Sequence, residues 1–216
     1  VPVDASALPD RPLSIGGTIQ YQDQVIGLRG IDGQLGGAGF GIDGRVSGWP
    51  ELTGSQVRFS VDAPDFHELV SDETFDSLPA SFSARGTVSK APSQYRLEDV
   101  HLALGGTIAE LEGTVEELPG DLAMDLALTV NGQDLSEFDG IAKQALPDWD
   151  FEMRGDIAGR FEALTIDDLS LRLGPSDVAG ALQFSLMDRK RIAGQLHSTL
   201  IDLSWLEKEA GDAAEG

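Results

Sequence analysis

FEMRGDIAGRFEALTIDDLSLRLGPSDVAGALQFSLMDRKRIAGQLHSTLIDLSWL, residues 151–206, decides how this chain folds. Apolar residues alternate with polar ones along it, turn residues interrupt at short intervals, and it closes on Asp202-Leu203. A period of two puts every second side chain on one face of an extended strand, so this alternation reads as half-buried strands. The rest of the chain writes the same unit twice more. Gly17, Gly86 and Gly155 are 69 and 69 residues apart, and so are Leu35-Gly36, Leu104-Gly105 and Leu173-Gly174. Asp65, Asp134 and Asp202 stand 69 and 68 apart. The third unit loses two residues before Gly180, taken as the partner of Gly44 and Gly113, and regains one before Asp202. Self-similarity at a fixed, long period marks a repeat architecture with several strands per unit.

Each unit is expected to hold five strands, about fifteen in all. The first carries Leu13, Ile15, Gly17, Ile19 and Tyr21, matched by Phe82 to Val88 and Phe151 to Ile157. The second carries Ile26 and Leu28, matched by Tyr95, Leu97 and by Leu164, Ile166; a short turn at Gly30, Asp99 or Asp168 leads to a third over Ile31–Leu35, Val100–Leu104 and Leu169–Leu173. Gly36-Gly37, Gly105-Gly106 and Gly174-Pro175 make tight turns into a fourth strand, and Val57-Phe59-Val61, Leu126-Leu128-Val130 and Gly194-Leu196-Ser198 form a fifth. Asp65-Phe-His-Glu68 and Asp134-Leu-Ser-Glu137 read as helix N-caps with a reciprocal acid three residues on, so short helices are expected near Phe66–Phe75 and Leu135–Ala145, ended by Leu78-Pro79 and Leu146-Pro147. The organisation is then a lead-in over 1–12, repeat one with a linker helix over 13–77, repeat two with its linker helix over 78–147, repeat three over 148–206 and an acidic tail over 207–216.

The chain has 216 residues and a formal net charge of −22. Nucleic acid is not expected as a partner, because phosphate binding needs Lys/Arg patches. Charge-driven docking on an anionic membrane is not expected either. The acid reads first as a solubility device. Cysteine is absent, which removes disulfides and thiolate metal sites. No run of about 18 apolar residues appears. The chain opens at Val1 without a signal peptide and is read as a piece of a longer protein whose targeting segment lies outside it.

Every strand has one apolar face, and no long helix is available to cover it. Leaving a single Val, Leu, Ile or Phe exposed forgoes roughly 1.5–3 kcal/mol, so the face must be buried on itself, on a ligand or on a partner. A stacked sandwich or a long sheet folded lengthwise into a groove would both do so. The tandem repeat favours the groove, because each unit hands its sheet edge to the next.

Leu164 to Leu206 resembles the repeat of the AsmA-like family. The likeness runs through Ile166, Asp168, Leu169, Leu171, Leu173, Gly174, Ser176, Val178 and Gly180, then Gly194, Leu196, Ser198, Ile201, Asp202, Leu203 and Leu206. It is looser in the second unit, where Gly106-Thr107 replaces the Pro-Ser step, and loosest in the first, where Gly30, Gly33 and Gly37 replace larger residues. The resemblance implies a mainly β fold, a long curled one-sided sheet forming a taco-like groove with short helices between repeats. It implies a periplasmic segment of a bacterial envelope protein anchored in the inner membrane outside this stretch. Its partners would be phospholipid acyl chains, with other envelope proteins as a further class, and the function bridge-type lipid transport between the two membranes.

The groove-lining candidates are Ile15, Ile19, Ile26, Leu28, Leu35, Phe82, Val88, Leu97, Leu104, Phe151, Ile157, Ile166, Leu171 and Leu173. The small Gly17, Gly86 and Gly155 either leave room for tails or mark bends in a curled strand. Catalysis is not expected: His67, His101 and His197 fall at non-equivalent repeat positions, and Asp167-Asp168 and Glu116-Glu117 read as solvated turns. Gly36-Gly37-Ala38-Gly39 is too short of carboxylates for a calcium repeat, and no cofactor or metal is expected. Lys90 and Arg189-Lys190-Arg191 are the main basic spots. Two other classes compete: a structural or interaction module supporting outer-membrane protein assembly, with a closed core and a peptide-binding edge, and a polysaccharide-binding β-solenoid, which the scattered aromatics disfavour.

Overall fold

The computed structural model describes residues 12–65, 67, 77–118, 121–160, 162–185 and 191–202. These form one unclosed, curled antiparallel sheet of twelve strands whose spatial order is the chain order. The strands are β1 Leu13–Gln22, β2 Val25–Leu35, β3 Ala38–Val46, β4 Gln56–Ala63, β5 Phe82–Lys90, β6 Gln94–Leu104, β7 Thr107–Leu118, β8 Asp121–Gly132, β9 Phe151–Arg160, β10 Ala163–Leu173, β11 Ser176–Ser185 and β12 Arg191–His197. Nine of the eleven connections are too short for a parallel pair, which needs a crossover of a dozen residues or more; the longer connections over 64–81 and 133–150 also join antiparallel neighbours. The expected two-residue turns stand at Gly36-Gly37, Gly105-Gly106 and Gly174-Pro175. Only the first residue of each has positive φ (60°, 57° and 51°), the sign pattern of a type II′ hairpin turn.

Fifteen strands become twelve for one physical reason. The expected second and third strands of each unit are halves of one strand, β2, β6 or β10, and the turn between them is a β-bulge. Gly30, Asp99 and Asp168 take φ of 53°, 51° and 48° inside continuous strands. The ladder slips on both sides of each, for example between Leu28 and Ile31 toward β3 and opposite Gly17 toward β1. One extra residue shifts the parity of every side chain after it, so a strict period-two reading breaks there. Asp tolerates the left-handed conformation better than most non-Gly residues.

The bulges settle the role of the three glycines opposite them. A Cβ on Gly86 would sit 2.7 Å from Val100 Cγ2 and 3.0 Å from its Cα. At Gly17 it would meet Ile31, and at Gly155 Ile166 Cγ2 at 2.8 Å. The space is already filled by the bulged strand, so these glycines permit the bend and leave no room for a ligand. Gly180 is also corrected. It stands opposite Leu169, level with Ile42 opposite Ile31 and Leu111 opposite Val100, while Leu182 is level with Gly44 and Gly113. No residues are lost before it; the glycine has moved two positions along the strand.

The connection between β8 and β9 is shorter in helix than expected. A 3-10 turn over Leu135–Phe138 runs into α1, Asp139–Ala142, and stops at Lys143 with φ 55°, three residues before Leu146-Pro147. Asp134 caps it by accepting from Ser136 N at 2.9 Å. Glu137 does not return to the cap. Its carboxylate accepts from Gly106 N at 3.0 and 3.1 Å and ties the connection to the β6–β7 turn. Phe138 meets Phe151 edge to face at 6.0 Å. The helix expected near Phe66–Phe75, the Arg189-Lys190 pair and the stretch after Asp202 lie outside the described residues, apart from His67, whose Nδ1 lies 2.9 Å from Asp65.

Gly113 (φ 140°) and Gly180 (φ 146°) have the tightest requirements against a neighbouring strand's backbone. A Cβ on Gly113 would lie 2.1 Å from the Asp125 carbonyl oxygen, a backbone atom of β8 that cannot yield. Gly113→Ala is expected to cost at least about 1–3 kcal/mol in urea-unfolding free energy. Gly27→Ala, whose Cβ meets nothing nearer than 3.8 Å, is expected to stay within about 1 kcal/mol of the parent.

Candidate functional site

The fourteen candidate side chains all fall on one face, as the registers show. One row of directly opposed positions crosses the whole sheet: Ile19, Leu28, Gly44, Val57, Val88, Leu97, Gly113, Leu126, Ile157, Ile166, Leu182 and Gly194. A second runs from Ile15 through Gly33, Phe40, Val61, Ala84, Leu102, Ala109, Val130, Met153 and Leu171 to Val178. Leu35 and Leu104 lie on the same face beside the two-residue turns, as do Phe82, Phe151 and Leu173. Opposed pairs of this kind contribute roughly 0.2–1 kcal/mol each relative to Ala–Ala, and they are what a single sheet has in place of a second layer.

Burial along the face is partial. Ile26, Leu28, Val88, Leu97, Ile157, Ile166, Leu171 and Leu173 are half-buried, and Phe151 is buried against Phe138. The described core consists of small or mid-strand residues such as Ile31, Ala84, Val100, Leu126 and Leu169, and no described large side chain is sealed from solvent. Ile15 and Ile19, on the outermost strand, are 65% and 68% exposed. No described element lies over this face as a second layer. The candidates drawn from the sequence came from β1, β2, β5, β6, β9 and β10. Phe40, Phe59, Leu111, Leu128, Val178 and Phe184 on the remaining strands belong to the same surface, and their own alternation was the signal for them.

The other face is polar. A hollow of about 340 Å³ opens on it, bordered by Asp32, Asp43, Arg58, Ser60, Arg85, Asp99 and His101. His101 faces Glu110 across the β6–β7 ladder, with Nδ1 3.4 Å from Oε1. His197 is exposed on β12. Among the described residues, no three His, Asp or Glu side chains are grouped to hold a metal ion. Asp167 and Asp168 are exposed strand and bulge residues of β10 rather than a separate turn.

One end of the apolar face carries a polar cluster that the sequence reading missed. Lys90, at the end of β5, continues the apolar side of that strand and is only 7% exposed. Its ammonium lies 3.8 Å above the Tyr95 ring and bonds the Glu117 carboxylate, which also accepts from the Tyr95 hydroxyl at 3.0 Å. Glu116-Glu117 is therefore no solvated turn: both belong to β7, and Glu117 is the partner of a buried cation. A buried Lys holds its charge only beside such a partner. Desolvation pulls its pKa down, but the bonds to Glu117 and Tyr95 outweigh that and raise it. The same bonds, Lys90's first and Tyr95's second, hold the Glu117 carboxyl below its usual value. Asp177 at the start of β11 is likewise lowered, first by the Thr199 hydroxyl at 2.7 Å, then by the backbone N–H groups of Thr199 and Leu200.

No protein-family model matches this chain, and neither a curated protein nor a solved structure is significantly similar to it.

A carboxylate with a lowered folded pKa stabilises the fold above its unfolded pKa and ceases to as pH falls through the folded one. Lys90, raised, stabilises below its unfolded pKa and ceases to as pH rises past the folded one. Glu117→Gln is therefore expected to lower the melting temperature at neutral pH. The gap to the parent should narrow as pH falls below the ordinary glutamate pKa of about 4.3 and close only once the folded carboxyl, held lower by Lys90 and Tyr95, is itself protonated. An unchanged gap across that range, measured by thermal circular dichroism, would show that the loss is steric.

Proposed function

We propose that this chain is a stretch of AsmA-like repeating β-groove whose apolar face shields phospholipid acyl chains in transit between the inner and outer membranes of a bacterial envelope. On this reading it lies in the periplasm, the full protein is anchored in the inner membrane, and the chain is no enzyme. On this reading the chain is three units of about 69 residues, β1–β4, β5–β8 and β9–β12, a division supported by the bulge that recurs in β2, β6 and β10. The observation that carries the proposal is the pair of apolar rows running across successive strands with no second layer above them.

The mechanism is passive. Each tail methylene taken out of water contributes about 0.8 kcal/mol, so partial contact with the face suffices to hold a tail. Twelve strands at about 4.8 Å spacing give a path of roughly 50 Å. Half-buried Leu, Ile and Val present similar surfaces along its whole length, so no position traps a tail and each step is nearly isoenergetic. The opposite face is polar, mixing Asp32, Asp43, Asp99 and Glu110 with Arg58 and Arg85, and offers acyl tails no apolar contact, which favours tails on one side only.

The interaction-module reading keeps one specific support. Exposed large apolar residues concentrate on the two edge strands, at Leu13, Ile15, Ile19, Tyr21, Ile192 and Leu196.

Protein purified from bacterial periplasm without detergent, analysed by native mass spectrometry and lipid extraction, is expected to carry phospholipid. Leu173→Glu, on β10 beside its turn into β11, and Ile15→Glu, on the exposed outer strand β1, are both expected to reduce it. Ser170→Glu on the polar face is expected to leave it unchanged. A lipid-free parent protein with intact sheet circular dichroism would refute the lipid reading.

A further inference from the structure

Edge strands normally protect themselves with charge, proline or a bulge that turns the ladder away, because their unpaired N–H and C=O groups invite another strand. Here the usual pattern is inverted. β1, LSIGGTIQYQ, has no charged residue and no proline in a chain that is 24% charged, and β12 has no Asp, Glu or Lys and only Arg191 at its start. The acids sit instead on interior strands such as β7, TIAELEGTVEEL. Every residue of both edge strands is exposed, large apolar ones included.

The sheet already contains the joint that would cover them. At the β4–β5 seam Val57 opposes Val88, Phe59 opposes Gly86, Val61 opposes Ala84 and Ala63 opposes Phe82. At the β8–β9 seam the same levels hold Leu126 against Ile157, Leu128 against Gly155, Val130 against Met153 and Gly132 against Phe151. Gly194 of β12 is level with Val57 and Leu126, and Ile19 of β1 is level with Val88 and Ile157.

We infer that the edges of β12 and β1 that no described strand pairs are the two halves of this same seam, and that a second copy of this chain adds head to tail with Gly194 opposite Ile19, Leu196 opposite Gly17, Ser198 opposite Ile15 and Leu200 opposite Leu13. The pairing continues the apolar rows from copy to copy. It is heterologous, so it propagates into an open row of copies instead of closing as a dimer. The −22 charge of each copy opposes it, and added salt therefore promotes it. The inference rests on the division into four-strand units and is independent of what the apolar face carries.

The chain has no cysteine, so engineered thiols report the register directly. Thr18 and Gln195 would oppose each other on the polar side, as Arg58 opposes Thr87 and Ala127 opposes Asp156. Under mild oxidation Thr18→Cys/Gln195→Cys is expected to give a ladder of crosslinked copies that lengthens with salt. Thr18→Cys/Ala193→Cys, two residues out of register, is expected to lose that ladder. Neither single variant should form more than background dimer. Equal ladders from both double variants would overturn the register. Abundant dimer from Thr18→Cys alone would show β1-to-β1 pairing in its place, and monomer at every salt and protein concentration would overturn the inference outright. Lipid content, measured on the same samples, tests the transport reading separately.

Discussion

A long meander stays one-sided only if parity survives every irregularity in the ladder. A β-bulge adds one residue, and one residue moves all that follow to the other face. In β2, β6 and β10 the apolar pattern changes parity at the same place as the backbone does: Leu28-x-x-Ile31, Leu97-x-x-Val100 and Ile166-x-x-Leu169. Side-chain pattern and backbone defect cancel, and the face stays continuous. Opposite each bulge a glycine yields its Cβ position to the strand that swells toward it, and Gly44, Gly113 and Gly180 relieve the next ladder in the same way. The curl, the apolar rows and the open edges all depend on this matching.

The same matching explains what could be read in advance. The alternation in residues 151–206 told of strands, and the two-residue turns were legible because Gly36, Gly105 and Gly174 stand at the one position where φ is positive. The break in alternation at Gly30, Asp99 and Asp168 was legible too, but a turn and a bulge leave the same mark on a period-two pattern. They differ only in whether the ladder resumes with the same neighbour, which is a tertiary fact. Glu137 illustrates another limit. An acid three residues after Asp134 has the spacing of a capping box, yet Gly106 offers a free N–H from 31 residues away in the chain. Lys90 and Glu117 are 27 residues apart and come together only through two hairpins. The apolar face was legible as a set because parity is a local property. How open that face stays was not, because openness depends on what, if anything, packs against it.

An apolar surface this extensive sits uneasily with a chain so acidic unless the two are kept apart. The sheet separates them by face: carboxylates on one side, aliphatic side chains on the other, and one buried cation at the boundary, neutralised by Glu117 beneath Tyr95's hydroxyl. Such a surface is neither a pocket nor a core. In the proposed reading it serves as a wall along which apolar chains lie.

Strand order that equals chain order also has a mechanical meaning. A force applied at the two termini meets the hydrogen bonds of one outer seam at a time, so the sheet peels strand by strand from its ends instead of shearing as a block. Heat and denaturant act along the same line: the outermost hairpins loosen at little cost to the middle, and the protein behaves as a row of neighbours in which each strand answers chiefly to the two beside it.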